Sequence, residues 1–166
     1  MPHLVRLALI ALAVAALPAC SFSEGGGEFD CTDGAIVTAT VDGRSLRADC
    51  VETDISSSRV FVGGYDNYDA QDGTDVYSNV RLTVGGSAAG TFPVTGTGST
   101  TLSYFASLGD DDLISVDATA GSVVITSVSS SQISGTFEFS GPEETGTDRT
   151  PTGRTVTGTG SFSIPR

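Results

Sequence analysis

From residue 31 onward the chain never sustains an apolar period of 3.6, and its clearest pattern is alternation at every second position. Near the C-terminus, Val156, Gly158, Gly160, Phe162 and Ile164 alternate with Thr155, Thr157, Thr159, Ser161 and Ser163. A run of this kind is a strand with one face in a core and the other in water. Short stretches rich in Val, Ile, Thr, Phe and Tyr recur between clusters of Gly, Asp and Ser, roughly every 10–15 residues. The pattern excludes a helical domain. It predicts an all-β fold, an antiparallel β-sandwich of about eight or nine strands, with a small antiparallel β-barrel as the alternative packing.

Asp42-Gly43 lies between two β-like runs, Ala35–Val41 and Arg44–Cys50, and is a two-residue hairpin signal. That turn places Val41 opposite Arg44, Ala39 opposite Leu46, Val37 opposite Ala48 and Ala35 opposite Cys50. A slip of one residue would mix the apolar and polar faces. Further strands are expected over Arg59–Gly63, Asn79–Val84, Gly90–Val94, Thr100–Ala106 and Leu113–Val116. A second hairpin, Gly121–Val128 with Gln132–Ser140, turns around Ser129-Ser130-Ser131, and residues 141–153 read as a long polar loop. On the hairpin's second strand, Ile133, Gly135, Phe137 and Phe139 share one face. The glycines of the last strand mark close backbone approach or room for a neighbouring Phe ring.

The N-terminus reads as an address. Leu7–Leu17 is an apolar run too short to span a bilayer and suited to the core of a secretory signal peptide. Leu17-Pro18-Ala19-Cys20 resembles the bacterial lipobox, which implies cleavage after Ala19 and lipidation of Cys20. The expected organisation is a signal peptide over 1–19, a lipidated Cys and flexible tether over 20–30, and one all-β domain over 31–166. The competing reading is an ordinary signal peptide, with Cys20 in a disulfide. Three cysteines favour lipidation, because it leaves Cys31 and Cys50 as an even pair. A turn through Thr32-Asp33-Gly34 would bring Cys31 back to Cys50, and an exported protein permits the bond; a reactive thiol pair is the alternative. Ser21 after the lipidated Cys suits an outer-membrane or cell-surface location.

Cleavage would remove His3, the only histidine. All eight basic residues are Arg, and Trp is absent. The mature chain could build no Ser-His-Asp or Cys-His arrangement, no Schiff-base lysine and no ordinary zinc site. A net charge of −12 argues against nucleic acid. Carboxylate chemistry remains, so a glycan hydrolase is the enzymatic alternative. The stretch Tyr65–Asp75 gathers Asp66, Asp69, Asp72 and Asp75, oxygen ligands of the kind calcium takes, although the spacing is not that of an EF-hand; a solvated acidic loop is the plainer reading. Asp110-Asp111-Asp112 is a second acidic cluster. Tyr65, Tyr68 and Tyr77 could offer a sugar-stacking platform, or be partly buried aromatics at strand ends.

The strings TATVDGRSLRAD (38–49), GTFPV (90–94), GSVVITSVSSSQISGTFEFSG (121–141) and VTGTGSFSI (156–164), together with the lipobox, resemble a family of uncharacterised bacterial lipoproteins. That resemblance implies a signal peptide and a small β domain, and brings no activity or catalytic residue with it. The expected protein is a lipid-anchored, non-enzymatic binding or scaffold module of the cell envelope, with no required cofactor. Its partners would be the membrane, through Cys20, and an envelope glycan or protein. A calcium-stabilised surface module is a further alternative. Replacing Cys20 with Ser removes the acylation site. The Cys20→Ser protein is expected to leave the membrane pellet and appear in the soluble fraction on sedimentation of cell lysates.

Overall fold

In the computed structural model, the residues described are 30–66, 77–109 and 112–166. They form eleven strands and no helix. Four open the chain: β1 (Ile36–Val41), β2 (Arg44–Arg47), β3 (Cys50–Ile55) and β4 (Val60–Asp66). Then come β5 (Tyr77–Val84), β6 (Gly90–Val94), β7 (Thr101–Ser107) and β8 (Leu113–Asp117). The last three are β9 (Ala120–Val128), β10 (Gln132–Thr145) and β11 (Thr150–Pro165). Every pairing is antiparallel, in the order β2-β1-β11-β10-β8-β7-β5-β4-β3, with β9 on β10 and β6 on β9. The sheet curls into a half-barrel, within the all-β sandwich or barrel class that the alternation implies.

Two bent segments make the corners. β2 runs into β3 through Ala48 and Asp49. Ala48 N–H still donates to Val37 of β1, at 3.0 Å, whereas Asp49 N–H donates to Tyr65 of β4, at 2.9 Å. One stretch of chain thus joins the two ends of the strand order. β8 likewise runs into β9 through Ala118 and Thr119. Both lie along the same edge of β10, β8 against Glu143–Thr145 and β9 against Ile133–Ser140. Strands that change neighbours at such bends make the corners of curled sheets.

The first hairpin has the expected register, with Val41 opposite Arg44 and Ala39 opposite Leu46. Asp42 and Gly43 adopt φ values of 48° and 80°, the left-handed pair of a type I′ turn. Val37, Ala39, Val41 and Leu46 are buried. The register ends sooner than the alternation suggests: Cys50 pairs with Tyr65, not with Ala35. The bend at Ala48-Asp49 has by then passed the chain to β4. β3, which carries Glu52, Thr53 and Asp54, has no clear period-two signature. Residues 141–153 are also not a loop. β10 continues to Thr145, and β11 starts at Thr150 after a turn with Gly146 and Arg149 at positive φ. Pro142 is accommodated because the pairing shifts between Pro142 and Glu144.

The core is Val- and Ile-rich, with Val37, Val60, Val116, Ile133 and Ile164 fully enclosed. Its centre is an aromatic–glycine interlock across β10 and β11. The register places Phe137 opposite Gly160, Phe139 opposite Gly158 and Gly135 opposite Phe162. A Cβ on Gly158 would stand 2.3 Å from Phe139 Cε1, and one on Gly160 would stand 2.2 Å from Phe137 Cζ. Cys31 and Cys50 form a disulfide with Cα atoms 5.2 Å apart, tying the chain's entry to the start of β3. Closing a loop of this length contributes about 3 kcal/mol in the chain-entropy picture.

At Gly158 every close neighbour of an added methyl belongs to the Phe139 ring. Gly158→Ala is therefore expected to destabilise by about 1–3 kcal/mol. Adding Phe139→Leu should recover part of that loss, a coupling that a double-mutant cycle in urea would read. Strictly additive losses would show that the ring does not occupy the glycine's space.

Candidate functional site

Among the recesses that the described residues form on the outer surface of the curled sheet, two exceed 500 Å³. The larger, about 580 Å³, crosses β1, β11, β10 and β9. It is floored by the outward members of the alternation, including Thr38, Thr40, Thr136, Glu138, Thr159 and Ser161. Thr38 and Ser161 hydrogen-bond to each other at 3.0 Å. Hydroxyls open to one another and to water, with Glu138 the one carboxylate among them, offer a wet surface and little chemical direction.

The second recess, about 520 Å³, lies on the outer face of β5, β7 and β8, walled by the tip of the β10–β11 hairpin. Its side chains follow from register. Asn79 faces Phe105, which faces Ser115, while Arg81 faces Ser103, which faces Asp117. These rows cross neighbouring strands at about 4.8 Å per step. Tyr77 and Phe105 pack with ring centroids 5.7 Å apart, tilted by 33°. They form a half-buried aromatic pair in the company of an amide, hydroxyls and two guanidinium groups. Such a mixture of a few directed polar groups around apolar faces is the composition of ligand sites.

The charges are held in place. Arg149 donates to Asp117 Oδ2 at 2.7 Å and pairs with Glu144 Oε2 at 2.6 Å. Gly146 N–H donates to the Leu113 carbonyl at 3.1 Å, fixing the hairpin tip against β8. Arg81 Nε donates to Tyr65 Oη at 3.1 Å, and its guanidinium carbon lies 5.4 Å from the centre of that ring. Tyr65 Oη in turn donates to Glu52 Oε2 at 3.1 Å. Burial raises the Tyr65 hydroxyl above the ordinary tyrosine value, against the opposing pull of Arg81. Burial does the same for Tyr77. Ser115 Oγ is closed off from solvent and has no hydrogen-bond partner among the described residues. A desolvated hydroxyl of that kind costs about 1–3 kcal/mol.

A buried carboxylate stands apart from the cleft. Glu143, 4% exposed, accepts from Arg154 Nη1 at 3.0 Å and from Thr152 Oγ1 at 2.8 Å. Arg154 Nη2 also donates to Asp42 Oδ2 at 2.7 Å. This network bolts the long hairpin to the β1–β2 turn, and both Glu143 oxygens are occupied by it.

Of the residues singled out in the sequence, Cys31 and Cys50 are joined. Cys20, Tyr68, Asp69, Asp72, Asp75, Asp110 and Asp111 lie outside the described residues. Tyr65 and Asp66 do not open a loop; they end β4, because the strand pairs as far as Asp66 with Ser78. Tyr65 is 1% exposed and cannot offer its ring to a ligand. Only Tyr77 of the expected platform reaches the recess among the described residues. No group of three or more His, Cys, Asp or Glu is placed to hold a metal among them. Phe105, Asp117 and Arg149 join Tyr77 through non-local pairing that no local pattern announces. Among the described residues, no helix is long and apolar enough to cross a membrane.

A family model described as Domain of unknown function (DUF6252) matches residues 33–162. No curated protein and no solved structure matches the chain.

Tyr65, Tyr77 and Tyr104 all titrate above the ordinary value of 10.0, in each case chiefly because burial disfavours the phenolate. Their folded values are raised, so their contribution is complete below the unfolded value. It is lost as pH climbs past 10 toward the folded values, where the unfolded chain ionises first. With no Lys in the chain, tyrosines dominate this alkaline range. Urea midpoints are expected to fall above about pH 10, with phenolate absorbance lagging that of free tyrosine until unfolding.

Proposed function

The chain belongs to the family described as Domain of unknown function (DUF6252), and we propose that it is a lipid-anchored, non-enzymatic binding module of the cell envelope whose ligand is a glycan. Acylated Cys20 holds it to the membrane, outer membrane or cell surface, and the cleft on β5, β7 and β8 receives the ligand. The observation that carries this reading is the Tyr77–Phe105 pair beside Asn79, Ser103 and Arg81 on a rigid sheet face. Sugars are bound by stacking on aromatic faces with directed hydrogen bonds at the ring edge.

The non-enzymatic part of the reading is supported by how the carboxylates are used. Hydrolysis of a glycosidic bond needs two facing carboxyl groups about 5–10 Å apart. Asp117 is the one carboxylate on the cleft lining among the described residues, and Arg149 engages it. Glu143 is enclosed and doubly hydrogen-bonded.

The test is a thermal-shift screen of the lipidated full chain in detergent, against neutral and acidic polysaccharides, with calcium and magnesium salts alongside. A ligand at 100 times its Kd adds about 2.7 kcal/mol of stability. A polysaccharide is expected to raise the melting temperature of the native protein. Tyr77→Ala, which removes half of the aromatic pair, is expected to abolish the shift. A shift that survives Tyr77→Ala would place the ligand elsewhere, and a screen with no polysaccharide shift would remove the glycan reading.

A further inference from the structure

We infer that the ligand carries a carboxylate on its sugar ring, a uronate, and that Arg81 is the group that reads it. This rests on the cleft being the binding site.

The lining of the cleft holds two guanidinium groups against one carboxylate, on a chain that carries 20 acidic and 8 basic residues. The two cations are not equivalent. Arg149 is neutralised by Asp117 and by Glu144, and its fork is spent on holding the hairpin tip. Arg81 is exposed and, among the described residues, gives only its Nε, to the hydroxyl of Tyr65. Its two Nη groups have no acceptor among the described residues. The Tyr65 ring lies against the guanidinium, and Glu52 fixes the Tyr65 hydroxyl by accepting a hydrogen bond from it. The plane of Arg81 is therefore set before any ligand arrives, with paired donors unspent.

A guanidinium so placed matches a carboxylate in a two-point hydrogen bond, geometry that an ammonium or a neutral amide does not reproduce. Orientation in advance lowers the ordering cost of binding. Arg81 and Asn79 sit two residues apart on the same face of β5, and Phe105 stands beside Asn79 on β7. A sugar ring resting on the aromatic pair thus has its edge toward the Arg81 donors. The opposing charges in this row are Asp117, two strands away across Ser103 and engaged by Arg149, and on the other side Glu52, two strands away across Gly63. Glu52 acts on Arg81 through the Tyr65 hydroxyl and does not line the cleft.

The experiment is a calorimetric titration of the lipidated full chain in detergent with two probes, trigalacturonic acid and its fully methyl-esterified form. They share hydroxyls and ring faces and differ in charge. The native protein is expected to bind the acid about tenfold more tightly than the ester. Arg81→Gln should bring the two affinities within about twofold, with the acid losing more than the ester. Tyr77→Ala should weaken both. Equal binding of acid and ester by the native protein would overturn the carboxylate inference and leave the cleft standing. A preference for the acid that survives in Arg81→Gln would overturn the assignment to Arg81. Binding of neither probe would overturn the uronate inference, and the cleft itself would then stand or fall by the response of Tyr77→Ala to the neutral polysaccharides. Should Arg81→Gln fail to fold, Arg81→Lys keeps the charge without the paired donors. It is then expected to cut the preference about threefold or more, and an undiminished preference would overturn the assignment.

Discussion

The fold depends on the fit of three phenylalanine rings onto three glycines. Phe137 over Gly160, Phe139 over Gly158 and Phe162 over Gly135 lock β10 to β11 in one register, because a side chain at any of these glycines would collide with a ring or with backbone. The interlock alternates direction, two rings reaching from β10 and one from β11, so neither strand can slide. Every branch of the sheet is attached to this pair. β11 carries β1 on its free edge, and β10 carries both β8 and β9 on its own. The glycines are costly in chain entropy, and that cost is offset by burying large aromatic faces at the one place where the whole strand order is anchored.

Closure follows from the two bends. A long flat sheet built on β10 and β11 would leave its apolar face exposed. The bend at Ala48-Asp49 passes the chain from β1 to β4, and Val37 of β1 comes to rest where any side chain on Gly64 of β4 would strike it, 2.7 Å from the ideal Cβ position. The bend at Ala118-Thr119 is made possible by Gly141, whose missing side chain leaves room for the Asp117 carbonyl. The disulfide then holds the chain's entry against β3 beside the first bend. Tension between a curled sheet and its polar hairpin ends is met by Glu143, Arg154 and Asp42, which join the far end of the long hairpin to the β1–β2 turn.

What could be read in the sequence was whatever obeyed local rules. The Asp42-Gly43 turn and the alternation on either side of it specified the register from Val41 and Arg44 back to Thr38 and Arg47, and missed where it ends. The faces of β10 and β11 follow their alternation, and the glycines of β11 do make room for Phe rings. β3 was hidden because its Glu, Thr and Asp residues lie at a sheet end where partial exposure blurs the period. The extension of β10 and β11 was hidden by its own composition: GPEETGTDRTPTG reads as a loop, yet a bulge accommodates Pro142, and Arg154 compensates the buried Glu143. Of the two readings of Tyr65, a sugar platform or a buried aromatic at a strand end, the structure has the second, with Arg81, Glu52 and the pairing with Cys50 enclosing it. The cleft could not be read at all. It exists because β5 pairs with β7 and leaves β6 to β9, a choice made by long-range closure.

That same choice separates the two outer faces. Over β1, β11, β10 and β9 the alternation delivers chiefly Thr and Ser outward, with Glu138 the one carboxylate on the recess lining, and their hydroxyls can be met by one another and by water. Over β5, β7 and β8 the outward positions are Tyr77, Asn79, Arg81, Phe105 and Asp117, and the hairpin tip stands over them through Arg149. Here the rows of the sheet place an aromatic pair, an amide and a guanidinium at fixed strand spacings, so the side chains need little ordering when something binds. A chain whose expected mature form has neither His nor Lys has few routes to chemistry, but recognition requires only directed donors, apolar faces and a backbone that does not move. The hydrogen-bonded sheet supplies the last of these, and among the described residues the face of β5, β7 and β8 combines it with the first two.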